Sequence, residues 1–158
     1  MRVDQLMTRE VSTCRPDDSL DRAAQLMWDR DCGCLPVSIG DGATRVVGLI
    51  TDRDICMCAL FQRKPLHDLR VSQAMSQQVR ACEASDSVIE AEKAMREARI
   101  RRLPVLNEQG ALIGLISLSD IAREAERERP QEKPELTERE VGGTLAAICQ
   151  PGPSTLAA

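Results

Sequence analysis

The chain has 158 residues, of which 42% are hydrophobic and 29% are charged, a composition typical of one globular domain with a core. Its formal charge of −4 disfavours binding to phosphate backbones, and one Trp, one Phe and no Tyr leave few rings for stacking bases, so we expect no nucleic-acid partner. No stretch approaches the ~20 apolar residues that span a bilayer, and the first residues lack a signal peptide's apolar core. We therefore expect a cytoplasmic protein with no membrane partner.

Residues 7–55, called copy 1, and residues 75–121, called copy 2, repeat one pattern. Leu35-Pro36-Val37 recurs as Leu103-Pro104-Val105, and Gly48-Leu49-Ile50 recurs as Gly114-Leu115-Ile116 after a two-residue shortening of the loop between them. Since one repeat seldom hides its own apolar face, the copies are expected to pack together, and any pocket should occur twice.

The elements have the same order in both copies, which predicts a mixed α/β (α+β) fold. Each copy starts with a short helical lead-in (3–7; 71–75) and a short extended segment (11–14; 79–82). A helix follows, with Asp18 or Asp86 as its expected N-cap. Two runs then form a hairpin (34–39 with 45–50; 102–106 with 112–116), through turns at 40–42 and 107–110. A second helix begins near Asp52 or Leu118.

The remaining residues divide into a linker and a tail. Residues 61–70 join the copies, and the alternating Arg, Glu, Pro and Lys up to Glu135 indicate a solvated helix end and linker. Thr137 and Glu140 have capping-box spacing, which predicts a helix through Ile148 that docks on its own module. Disorder is expected beyond Pro151. The predicted domains are residues 1–66, 67–127 and a tail, 128–158.

Seven cysteines are many for a cytoplasmic protein. The pairs Cys32/Cys34 and Cys56/Cys58 have one intervening residue, whereas zinc knuckles use two to four, so no metal site is predicted. Cys14 occupies the place in copy 1 that Cys82 occupies in copy 2. This equivalence favours the interpretation that several of the cysteines are small, buried hydrophobic side chains. Redox or metal chemistry remains the alternative.

A hydroxyl residue followed three positions later by Asp marks the start of each second helix. Thr51 and Ser117, with the free N–H groups of a helix N-terminus, would suit an anion such as phosphate. Asp54 and Asp120 could each accept two hydrogen bonds from neighbouring hydroxyls, as a ribose presents them, each worth roughly 1.5–3 kcal/mol. The alternative is an ordinary helix cap, and recurrence in register leaves both interpretations open.

These motifs together resemble a tandem pair of CBS (cystathionine-beta-synthase) domains, which form a Bateman module. The resemblance covers about residues 1–127. It is carried by Met-Thr (7–8), Met-Ser (75–76), the Asp-Ser helix starts, Leu-Pro-Val in both copies, Gly-Leu-Ile-Thr-Asp-Arg-Asp-Ile (48–55) and Gly-Leu-Ile-Ser-Leu-Ser-Asp-Ile (114–121). It implies two pseudo-symmetric β-α-β-β-α repeats packed sheet to sheet, with a cleft on each side.

The resemblance also implies a ligand. Such clefts commonly take adenosine-containing ligands, namely AMP, ADP, ATP, S-adenosylmethionine or NAD. By the family's motif, Asp54 and Asp120 would hold ribose hydroxyls, and Thr51 and Ser117 would contact phosphate. The base would be lined by Thr13 or Ala81 and by Cys34 or Arg102. CBS pairs usually associate as flat dimers, so we expect a homodimer.

The two clefts should differ in charge. Arg101 and Arg102 replace Gly33 and Cys34 of copy 1, which places positive charge where a polyphosphate could use it. Ion pairing of these arginines with Glu97 or Glu108 is the alternative.

The expected function is a stand-alone sensor in which adenine-nucleotide binding shifts the packing of repeats or protomers and a protein partner reads the shift. The alternatives are a cysteine-based redox or metal-responsive protein and a ligand-free interaction module. We expect no enzyme and no required cofactor, because His67 lacks a Ser or Cys partner and the chain has neither a Walker loop nor a His-rich metal motif.

Overall fold

Each copy folds as two helices around a β-hairpin, as the pattern predicts. The computed structural model describes residues 1–40, 45–130 and 132–150. Copy 1 contains α1 (Leu20–Asp29), β1 (Cys34–Ile39), β2 (Arg45–Thr51) and α2 (Asp52–Gln62). A short helix, α3 (Val71–Ala74), precedes copy 2, which contains β3 (Cys82–Glu83), α4 (Val88–Ala98), β4 (Arg102–Leu106), β5 (Leu112–Ser117) and α5 (Leu118–Glu128). A last helix, α6, spans Glu138–Ile148. The mixed α/β prediction is confirmed.

The first extended segment of each copy is shorter than predicted. In copy 1 it is reduced to one parallel bridge, in which the Cys14 N–H donates to the Pro36 carbonyl at 3.1 Å and the Ser38 N–H donates to the Cys14 carbonyl at 2.9 Å. The next parallel rung towards the N-terminus would need an N–H from Pro36, which proline lacks. Copy 2 has the two-residue β3 and a proline, Pro104, at the equivalent place.

The first helices begin one residue later than predicted. Their N-caps are Ser19 and Ser87, so the assignment of Asp18 and Asp86 is wrong. Asp18 Oδ2 accepts a hydrogen bond from the Arg15 N–H at 2.8 Å, so this carboxylate closes the preceding turn instead. Asp86 makes the equivalent bond to the Glu83 N–H, also at 2.8 Å.

The chain forms two compact units, each of which takes its lead-in segment from the opposite copy. The copy-1 unit comprises Glu10–Val79 and Leu106–Ile113, and the copy-2 unit comprises Met1–Arg9, Arg80–Val105 and the described residues from Gly114 onward. In the copy-2 unit, Thr8 and Leu115 exchange two backbone hydrogen bonds of 2.9 Å. In the copy-1 unit, Leu49 and Ser76 do the same at 3.0 and 2.8 Å.

Both units have apolar cores built from equivalent positions. The copy-1 core uses the predicted stripe of α1, Leu20, Ala23 and Met27, with the hairpin residues Leu35, Val37 and Ile50. In the copy-2 unit the equivalent residues Val88, Ala91, Met95, Leu103, Val105 and Ile116 are buried. This agreement follows from the helical and strand periodicities of the sequence.

The C-terminal segment docks on the copy-2 unit, which confirms the expected helix and its docking. Thr137 caps α6 in a capping box with Glu140, and α6 packs against both α4 and α5. The linker before it is not simply solvated as predicted, because Leu136 is buried and buried Glu128 accepts the N–H groups of Glu135 and Leu136 at 2.8 and 2.9 Å.

Two predictions, the turn completed at residues 41–42 and disorder beyond Pro151, lie outside the described residues. Among the described helices, none is long and apolar enough to cross a membrane.

Candidate functional site

The β2–α2 junction of copy 1 brings Thr51 and Asp54 into direct contact. Asp54 Oδ2 accepts hydrogen bonds from Thr51 N at 2.9 Å and Thr51 Oγ1 at 2.7 Å, while the Asp54 N–H donates to Thr51 Oγ1 at 3.2 Å. This is a capping box, so the cap interpretation of the motif is correct for this residue pair. Asp54 Oδ1 accepts no hydrogen bond from the described residues, and the side chain is partly exposed, so this oxygen is available to a ligand hydroxyl.

The β5–α5 junction of copy 2 contains the same capping box, but here the second carboxylate oxygen of the Asp residue also has a partner within the chain. Asp120 Oδ2 accepts from Ser117 N at 2.8 Å and from Ser117 Oγ at 2.6 Å. Asp120 Oδ1 pairs with Arg123 Nη2, and Asp120 is only 9% exposed. Copy 1 has Met57 at the place of Arg123. A ligand hydroxyl at Asp120 would therefore have to displace the Arg123 guanidinium.

The N-terminus of α2 offers less to an anion than expected. The Asp52 N–H donates to the Gly33 carbonyl at 3.4 Å, the Arg53 N–H donates to Asp52 Oδ1 at 2.7 Å, and the Asp54 N–H is taken by Thr51. The first three N–H groups of this helix already have partners inside the chain, so a phosphate placed here would compete with all three.

The other predicted copy-1 residues lie in different surroundings. Cys34 is buried on β1 and pairs with Thr51 across the hairpin, so the structure brings these two together. Thr13 lines a separate concavity of about 490 Å³ whose other walls come from the 14–18 turn and α1. Any ligand common to Thr13 and Asp54 would have to extend beyond that concavity.

The other predicted copy-2 residues are two arginines and an exposed alanine, Ala81. The Arg101 carbonyl accepts the Leu118 N–H at 2.9 Å, which fixes Arg101 beside the N-terminus of α5. Its exposed guanidinium donates to Cys149 Sγ at 3.4 Å, and Arg102 is half-buried at the start of β4. Within the described ranges no ion pair joins either arginine to Glu97 or Glu108.

Arg123 is the site residue that sequence reasoning missed. The signal available was its i,i+3 spacing from Asp120, which brings two side chains together on one helix face. With Arg101 and Arg102 it gives copy 2 three arginines at places where copy 1 has Met57, Gly33 and Cys34.

The cysteines divide by burial. Burial raises the pKa of the Cys14 thiol to about 12, helped by the nearby Asp18 carboxylate, and burial beside Asp86 does the same for Cys82. Cys14, Cys34 and Cys82 are buried, as the structural interpretation expects, whereas Cys56 and Cys149 are exposed. No group of three His, Cys, Asp or Glu side chains placed to hold a metal ion occurs among residues 1–40, 45–130 and 132–150.

Comparison with known proteins assigns the family. The sequence profile of the CBS domain matches residues 3–59 and residues 71–127. A putative signal-transduction protein with CBS domains from Burkholderia ambifaria MC40-6 is 32% identical, with a TM-score of 0.72, over 84% of this chain and 98% of that one. Hypoxic Response Protein I, in a crystal structure with two coordinated zinc ions, is 30% identical, with a TM-score of 0.69, over 78% of this chain and 98% of that one.

One further solved structure is similar to this chain at a sequence identity low enough that the similarity supports a shared fold only. The CBS domain pair of protein MJ0100, in complex with methylthioadenosine and S-adenosyl-L-methionine, is 24% identical, with a TM-score of 0.67, over 78% of this chain and 98% of that one. With a CBS profile matched in each copy, the chain belongs to the CBS domain family and is a CBS pair.

Proposed function

We propose that this CBS pair is a regulatory, non-catalytic module that binds an adenosine-containing ligand, with Asp54 and Asp120 as the ribose-binding residues. The observation that carries the proposal is the Oδ1 of the partly exposed Asp54, which accepts no hydrogen bond from the described residues and is held one turn into α2 by a capping box that uses only Oδ2. The adenosyl ligands bound to the CBS pair of MJ0100 support the ligand class at the level of the fold.

The two sites are expected to select different members of that class. Copy 1 has Gly33, Cys34 and Met57 where copy 2 has arginines, so its site suits an adenosyl group that carries little negative charge. In copy 2, Arg101 and Arg102 are available to phosphate oxygens, and Arg123 can turn from Asp120 towards a phosphate as ribose binds. AMP, ADP, ATP and NAD are therefore the candidates for copy 2, and S-adenosylmethionine or adenosine for copy 1.

Calorimetric titration of the intact protein with adenosine, S-adenosylmethionine, AMP, ATP and NAD tests both statements. Asp54→Asn keeps an oxygen that can cap the helix but removes the charge, and it should weaken binding at the copy-1 site by about 10- to 100-fold. Asp52→Asn is the matched control, because this exposed neighbour on the same turn lies outside the capping box.

At the copy-2 site, Asp120→Asn should weaken nucleotide binding. The double change Arg101→Gly and Arg102→Cys, which installs the copy-1 residues, should weaken ATP far more than adenosine. If neither Asp54→Asn nor Asp120→Asn alters the affinity of any of the five ligands, the ribose assignment is wrong.

Signalling requires that the ligand bind one arrangement of the protein more tightly than another, because equal affinity shifts no equilibrium. The homodimer implied by the family resemblance is the expected unit in which that shift is transmitted to a protein partner. Hydrogen exchange of the intact protein with and without ATP would show whether α5 and α6, beside Arg101, change protection.

A zinc-responsive function is the second candidate, because Hypoxic Response Protein I carries two coordinated zinc ions. The exposed Cys56 and half-buried Cys58 lie two residues apart on α2 and do not face each other, so each could bind zinc only together with side chains from elsewhere. Native mass spectrometry before and after a chelator tests it: retained zinc that is lost in a Cys56→Ser, Cys58→Ser variant would favour this function, and metal-free protein would dismiss it.

A further inference from the structure

The helix α6 is an addition to the copy-2 unit only. It lies beyond the two repeats that the CBS profile matches, the second of which ends at residue 127, and it packs across α4 and α5. In copy 1 the equivalent helix pair, α1 and α2, leaves Trp28 84% exposed and Leu60 63% exposed. One helix pair of the repeat is thus covered and the other is not, so a covering helix is not a requirement of the fold.

The docked α6 buries little apolar surface. Its only buried residue is Thr144, and the apolar residues on the same face, Val141 and Ile148, are half-buried. The Thr144 hydroxyl donates to Glu92 Oε1 at 2.6 Å and accepts from Arg96 Nη2 at 2.7 Å. Because these two charged side chains would regain water if α6 left, its release costs less than the uncovering of an apolar core.

Two glycines in the middle of α6 weaken the helix itself. Gly142 and Gly143 are exposed, and a Cβ at either position would meet no heavy atom of the surrounding residues within 4 Å, so packing does not require them. Each glycine lowers the helix equilibrium about fivefold relative to alanine. A helix of 11 residues is also too short to persist alone in water. The helix α6 therefore forms only while it is docked.

The two ends of α6 are held with different strength. Before the helix, Leu136 is buried and its N–H donates to the buried Glu128 carboxylate at 2.9 Å, which anchors the preceding segment. At the other end, the exposed C-cap residue Cys149 accepts a hydrogen bond on Sγ from Arg101 Nη2 at 3.4 Å. Because sulfur is a weak acceptor, the C-terminal end is the easier one to release, with Leu136 as the fixed point.

Arg101 connects this weaker end to the copy-2 site. Its carbonyl accepts the N–H of Leu118, the first residue of α5, at 2.9 Å, and Ser117 of the proposed ligand site directly precedes Leu118. Phosphate oxygens form short, charge-assisted hydrogen bonds with a guanidinium, and these are stronger than a bond to a thiol sulfur. A phosphate held beside Ser117 would therefore take Arg101 from Cys149.

We propose that α6 is a releasable lid on the copy-2 unit, and that a phosphate-bearing ligand at the copy-2 site promotes its release by drawing Arg101 away from Cys149. The coupling rests on the proposed function, because it needs a ligand phosphate beside Ser117. It is also reciprocal: the factor by which the ligand favours the open lid is the factor by which the closed lid weakens ligand binding. Adenosine, which has no phosphate, leaves α6 unchanged.

Hydrogen exchange of the intact protein, measured by mass spectrometry on peptides from α4, α5 and α6, tests the lid without any ligand. The amides of α6 should exchange faster than those of α4 and α5. The double change Gly142→Ala, Gly143→Ala should slow α6 exchange about 25-fold, the product of two fivefold effects. The control Ala146→Gly, the reverse change at an exposed position of the same helix, should speed it about fivefold. Equal exchange in all three helices, or no slowing by the two alanines, would overturn the lid.

The coupling is measured with ATP at a concentration that calorimetry shows to be saturating, and with adenosine as the control ligand. ATP should raise the opening of α6 about two- to tenfold, the net strength of one hydrogen bond, and adenosine should not. Cys149→Ala should open α6 by a similar factor and remove the response to ATP, while ATP still binds.

Two results would count against the coupling, and they differ in what else they refute. ATP that binds without changing α6 exchange in the wild type would overturn the coupling and leave the proposed function intact. No binding of ATP at all would refute nucleotide binding at the copy-2 site, and the coupling with it.

Discussion

Replacing Thr144 with valine should loosen the attachment of α6 by a calculable amount. The hydroxyl is fully buried and bridges Glu92, whose side chain is 5% exposed, to Arg96, whose side chain is 46% exposed. Valine keeps the shape and removes the hydrogen bonds to both partners. Water can reach Arg96 but not Glu92, which keeps its 3.7 Å ion pair with Arg96 but loses its hydroxyl donor, so the cost is about 2 kcal/mol. For a chain of this size that lowers the Tm by about 4–8 °C.

Thermal and urea unfolding measure this loss, and hydrogen exchange shows whether α6 opens before the rest of the unit. Thr8→Val, at an exposed threonine, is the control and should be close to neutral. In the double variant Thr144→Val, Glu92→Leu both partners become apolar, so much of the loss should be recovered. A cost below about 0.5 kcal/mol for Thr144→Val, or strict additivity in the double variant, would refute the bridging role of this hydroxyl.

Three further outcomes are expected. Gly48→Ala should lower the unfolding free energy by about 1–3 kcal/mol, because a Cβ there would lie 2.9 Å from a backbone carbonyl oxygen; urea unfolding measures it. An arginine hydrogen bond lowers the pKa of Glu124 below 4.5, so its stabilisation is complete above that pH and is lost as the pH falls; the Tm advantage over Glu124→Gln should shrink on acidification. Iodoacetamide should label exposed Cys56 and Cys149 first in native protein, as peptide mass mapping would show, because the buried thiols of Cys14 and Cys82 have pKa values of about 12.

The sequence alone shows at which positions the two copies differ, but the structural consequence of those differences depends on the fold. The replacement of Ala24 and Trp28 by Glu92 and Arg96 is visible when the repeats are aligned. Nothing local says that the charged pair serves Thr144, more than 45 residues away along the chain, because that contact depends on where α6 docks.

The sequence by itself determined the repeat, the order of helices and strands, the capping boxes at Thr51, Ser117 and Thr137, and the family. These features rest on interactions within a few residues and on side-chain periodicity, which any local stretch of sequence carries. Tertiary structure decided which lead-in segment each unit uses. It also decided that one helix pair is covered and the other exposed, because long-range packing selects among contacts that the local sequence permits equally.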